Sequence, residues 1–193
     1  MYKQTSWELV SSGSAGVGIS AQGIVSLSVT GGNLYIRDGA TRKTHTLNFG
    51  HISAGVGVSV LPVEFTVGCA AFPSFGTRVC SGPGANKPGS LTINEFKGEC
   101  LILSGAANLL PCVPSGGQAS LIFFGLPSPI GSNWGFWATA ASELFEAAMT
   151  IPSGGTAPLV TAINMCSAVG FLAGMVADST PSAGITFSRG AVL

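Results

Sequence analysis

The residues able to do chemistry in this chain are few: His45 and His51, the cysteines Cys69, Cys80, Cys100, Cys112 and Cys166, and the carboxylates Glu95 and Glu99. The two histidines stand six positions apart on neighbouring strand-like segments, which is not metal-ligand spacing. The five cysteines are odd in number and form no C-x-x-C pair, a pattern of reduced, buried thiols rather than a disulfide framework. A Cys–His nucleophile pair is spatial rather than sequential, so a small hydrolase built on a cysteine and His51 stays open as one expectation. Glu95 and Glu99 in "NEFKGE" have the makings of a carboxylate pair, although exposed solubilising charges are commoner at a loop or strand edge. No G-x-S-x-G elbow, H-E-x-x-H pair or phosphate-binding G-x-x-x-x-G-K-[ST] occurs. The sequence therefore predicts no catalytic residue, no metal ligand and no cofactor.

What must position these residues is a set of strands with an unusual surface. "SAGVGIS" (Ser14–Ser20) recurs as "SAGVGVS" (Ser53–Ser59), and "SAGITFS" (Ser182–Ser188) echoes both. Side chains alternate along a strand. Ala15, Val17, Ile19 and Ala21 thus share one face in the first copy, and Gly16, Gly18 and Ser20 the other. In the second copy Ala54, Val56, Val58 and Val60 oppose Gly55, Gly57 and Ser59. Glycine weakens strands, so its repetition implies a steric requirement: a bare face on which another sheet, an aromatic ring or a helix packs, or a surface for a flat ligand or a membrane.

Around these copies the first half alternates like an antiparallel meander. "GIVSLSV" leads to a turn at "TGGN" (Thr30–Asn33), then "LYIR", then "THTLNF" ending at Gly50, and "VEFTV" beyond Pro62. "GSLTINEF", "GECLILSGA" and "QASLIFFGL" read as further strands, and "SGPGANKPG" (Ser81–Gly89) as an exposed loop. The second half changes period. Asn133–Met149 places Phe136, Trp137, Ala140, Ala141, Leu144, Phe145 and Ala148 at helical spacing. Pro158–Ala177 is twenty residues without a charge, about 30 Å as a helix, with Ala162, Cys166, Gly170 and Gly174 on one stripe. This stripe is the predicted membrane- or partner-contact surface. The expected fold is α+β and β-rich: one domain over 1–193. Its residues 1–126 form a meander, barrel-like or sandwich sheet, 127–180 an apolar helical part, and 181–193 a return strand.

Charge narrows the classes of partner. Eight basic and eight acidic residues give a net charge of zero, and 8% charged residues is far below the roughly 25% of an ordinary soluble domain. Nucleic acid is excluded as a partner, because phosphate binding needs clustered Lys and Arg. Low charge with 46% hydrophobic residues favours association with a protein, a membrane or a second copy. Only Glu143, Glu146, Asp178 and Arg189 are charged beyond residue 100. No basic residue flanks Pro158–Ala177, which argues against a constitutive single span. The opening "MYKQTSWELV" lacks an apolar signal region, so synthesis in the cytoplasm is expected, with export by a signal-independent route open.

"SWELVSSGSAGVGIS", "GNLYIRD", "FPSFGTRVCSGPGA" with "EFKGECLILSGAA", and "SAGITFSRG" together resemble a group of uncharacterised glycine-rich bacterial proteins that accompany type VI secretion components and their cargo. The resemblance implies a link to interbacterial delivery and no catalytic residues. Two expectations follow: a non-enzymatic, membrane-acting effector, pore-forming or membrane-perturbing, or a soluble immunity or adaptor module whose apolar helix stays buried.

Overall fold

The computed structural model describes residues 2–20, 25–56, 78–106, 118–127, 164–173 and 185–193. They form eight strands: β1 (Lys3–Ser20), β2 (Val25–Asp38), β3 (Thr44–Val56), β4 (Arg78–Ser81), β5 (Gly98–Ala106), β6 (Gln118–Leu126), β7 (Ala168–Ala173) and β8 (Ile185–Val192). They close into a barrel in the order β1-β2-β3-β8-β5-β6-β7-β4, with every pairing antiparallel. β4 is the seam, holding Cys80 opposite both Gln4 of β1 and Val169 of β7. Closure demands stagger. The ladder row through Gly18, Ser28, Ser53, Ser188, Ile102, Ile122 and Gly170 accordingly winds along the barrel instead of closing on itself.

The expected α+β class is corrected to a nearly all-β closed barrel. No helix longer than a turn occurs among the described residues, and none is long and apolar enough to cross a membrane. The expected helix over Pro158–Ala177 is overturned in its second half: Asn164 and Met165 are helical, but Ala168–Ala173 is β7, and 158–163 and 174–177 lie outside the described residues. Gly170 is a poor helix former, and Val169 and Phe171 suit strands. Hydrogen-bonded ladders to β6 and β4 then override the local helical period. Asn133–Met149 lies outside the described residues. The expected turn at Thr30–Asn33 is also absent, since β2 runs through it, and β3 runs through Gly50.

One end of the barrel holds the core. Trp7, Leu9, Leu34, Ile36, Leu47 and Phe49 from β1–β3 cluster with Cys100, Ile102, Ile122 and Phe124 from β5 and β6. The β4–β5 connection folds across this end. Its 3-10 turn, Ile93–Phe96, puts Leu91 and Phe96 in the same cluster. Trp7 donates its indole N–H to the Leu91 carbonyl at 2.8 Å. Glu95 is buried, not an exposed charge. Its carboxylate accepts from the Thr92 N–H at 2.7 Å, the Thr92 hydroxyl at 3.2 Å and the Asn86 N–H at 3.0 Å, as in a capping box.

Candidate functional site

The amphipathic sense of the strands inverts part-way along the barrel. Buried Ile36 and Leu34 set the inward parity of β2. Toward the start of the strand the same parity carries Gly32, Thr30, Ser28 and Ser26 in the sequence. The opposite parity passes from Arg37, Tyr35 and Asn33 to Gly31, Val29, Leu27 and Val25. A one-residue slip would swap the faces of a strand. Here the β2–β3 register is unbroken from Val25–Val56 to Arg37–Thr44, so the inversion is written in the sequence itself.

The neighbouring strands follow. In β3 Leu47, Phe49 and His51 are buried, their parity continues through Ser53 and Gly55, and the other parity carries Asn48, Gly50, Ile52, Ala54 and Val56. β1 carries a bulge between Leu9 and Ser11, after which Ser12 stands opposite Leu34. Beyond it the register continues that parity through Ser14, Gly16, Gly18 and Ser20, and the other through Ala15, Val17 and Ile19. In β8 the register pairs Ser188 with Ser53 and Thr186 with Gly55, and Phe187 and Ile185 with Ala54 and Val56. Gly31 and Gly50 face each other where the sense changes. The described side chains thus give the barrel a core end that is apolar inside, and toward the far end the register carries small residues on one parity of the sequence and aliphatic residues on the other.

The sequence-predicted site residues scatter on this frame. Gly16, Gly18 and Gly55 occupy register positions of the small-residue parity toward the far end. Gly57, Ala162 and Gly174 lie outside the described residues. Gly170 is on no helical stripe: it faces the lumen, and a Cβ there would stand 3.2 Å from Leu9 Cδ2 and from Phe124 Cε2. Cys166 precedes β7 and packs under the backbone of Gly82 and Gly84, with the Tyr2 hydroxyl 3.9 Å from its sulfur. Cys166 and Gly170 therefore do not share the helical contact surface predicted for them.

Among the described residues the titratable groups do not converge. His45 and His51 both take inward positions on β3, about 20 Å apart along the strand. His45 tilts against Trp7 at 5.7 Å, while His51 is buried and stacks on Phe49 at 5.6 Å. Cys100 stands across Gly190 from His51 in the ladder. Cys80, Cys100 and Cys166 are free and buried. Burial pushes the Cys100 and Cys166 thiols up to about 12, with Glu99 adding to the shift at Cys100 and the Tyr2 hydrogen bond opposing it at Cys166. Neither is a thiolate near neutral pH, which a nucleophile requires. Among the described residues no group of three or more His, Cys, Asp or Glu is placed to hold a metal ion.

Glu95 and Glu99 do not form a pair either. Glu95 is committed to the β4–β5 connection. Glu99, on the outer face of β5, receives the Nε–H of Arg189 from β8 in a largely buried ion pair. Leu101, Leu103, Leu121, Phe123 and Val169 are buried on the same outward parity of β5–β7. The inversion went unseen in the sequence because "TGGN" and Gly50 look like chain breaks; its signal is the switch in phase of the alternation on either side of them.

No protein-family model, curated protein or solved structure matches this chain.

Proposed function

We propose that this protein acts on membranes through the far end of its barrel, with strands rather than a helix entering the lipid. The supporting observation is the inversion in the alternation: on β1, β2, β3 and β8 the unbroken register carries aliphatic residues on the parity that is polar near the core end, the sequence pattern of a lipid-facing barrel. A closed barrel leaves no unpaired strand edge in lipid. The described aliphatic stretch of β2, Val25–Gly31, rises about 18 Å for a strand tilted by about 40°. That reaches little beyond one leaflet of a hydrocarbon core about 30 Å thick, so the reading is membrane perturbation by partial insertion. Delivery between bacteria agrees with the resemblance noted in the sequence and is part of the same proposal.

The test is flotation of the purified protein with vesicles of phosphatidylethanolamine and phosphatidylglycerol, with brominated lipid quenching a fluorophore at Ile19→Cys. Co-flotation with quenching supports the reading. A protein that stays at the bottom of the gradient, with Ile19→Cys unquenched, overturns it.

A further inference from the structure

We infer that the barrel is sealed at its core end and sits in a bilayer without conducting ions or small solutes. This rests on the membrane reading above and adds what the inserted barrel does not do.

Eight strands enclose an interior that side chains alone can fill. At the core end they do fill it. Phe96 meets Trp7 at 5.2 Å and Phe124 edge-on at 5.4 Å, so three aromatic rings run from the β1 wall across the lumen to the β6 wall. Phe96 and Phe124 are fully buried. Gly170 opposite them has no Cβ, and Leu9 and Phe124 close over that position. The plug is tied down as well as packed: Trp7 is bonded to the Leu91 carbonyl, and Glu95 holds the segment that carries Phe96.

The register positions Ser14–Ser20 of β1, Ser26–Gly32 of β2 and Ser53–Gly55 of β3 carry no charge, whereas cation and anion paths use rings of charged side chains or converging carbonyls. The lumen is therefore closed where Trp7, Phe96 and Phe124 cross it.

The experiment uses the same vesicles loaded with a self-quenched dye and a potassium gradient, reading flotation and release on one preparation. The expected result is full co-flotation, with dye and potassium loss no faster than from protein-free vesicles. Co-flotation with release overturns the sealed barrel and leaves the membrane reading standing. Absence of flotation overturns the membrane reading and this inference with it. Phe96→Ala is expected to float and to leak. If it keeps its β circular dichroism, floats and stays tight, the plug is not the seal. Leu91→Ala repeats that arm should Phe96→Ala fail to fold, and the wild-type arm is decisive either way.

Discussion

Arg189 and Glu99 meet on the outside of the barrel, where β8 and β5 run side by side, and both side chains are largely withdrawn from water. Glu99 Oε2 is buried with no hydrogen-bond partner among the described residues. Removing one partner of such a pair strands a charge, while replacing both with apolar groups is close to neutral. Arg189→Ala should lower stability by about 3 kcal/mol. The double change Glu99→Leu with Arg189→Leu should recover most of it. Urea midpoints of the two variants provide the check.

Two glycines should differ sharply in tolerance. A Cβ at Gly190 would stand 2.3 Å from the Gly50 carbonyl oxygen and 2.7 Å from His51 Cβ, so backbone must move. At Gly170 the nearest atoms are the 3.2 Å side-chain ends of Leu9 and Phe124, which can give way. Gly190→Ala is expected to cost about 3 kcal/mol or more, and Gly170→Ala about 1 kcal/mol. Thermal unfolding of both variants would show the order.

The thiols set an alkaline limit on stability. Cys100 and Cys166 lie above the ordinary value of 9.0, at about 12, in the folded chain. A folded pKa raised above the unfolded one gives stability that is complete below about 9 and is lost as pH climbs through about 12. Unfolding midpoints should fall across that window, and Cys100→Ala should fall less. At pH 8 iodoacetamide should label neither thiol until the chain is unfolded.

Glu95→Ala removes the acceptor for three donors at once. The expected loss is about 3 kcal/mol, with amide exchange at Asn86 and Thr92 accelerating first. Glu95→Gln, which keeps an acceptor, should cost less. Equal losses in the two variants would assign Glu95 a role in packing alone.

Membrane binding should depend on which side of the inversion a charge is placed. Val29→Asp, on the aliphatic parity beyond Gly31, should weaken vesicle binding by about 2 kcal/mol, roughly thirtyfold. Tyr35→Asp, on the same parity of that strand toward the core end, should leave it unchanged. Vesicle titration with both variants measures the difference.

The strands were legible because their alternation is local: "GECLILSGA" and "QASLIFFGL" declare themselves as β5 and β6. Val169, Gly170 and Phe171 were misread because a short apolar run satisfies helix and strand periods alike, and only the β6 and β4 ladders decide between them. Ring closure was not legible either. It rests on β4, four residues pairing with strands distant in sequence on both sides. Glu99 and Arg189 stand ninety positions apart in the chain, and nothing local marks them as a pair.

The order of the strands also governs when the protein can become itself. β8 joins β3 to β5 and is translated after the other seven. Until Ile185–Val192 leaves the ribosome, β3 and β5 have no β8 to pair with, and the ring stays an open ribbon. Nascent chains stalled before β8 should therefore be the sticky, protease-sensitive species, and its arrival the event that commits the fold.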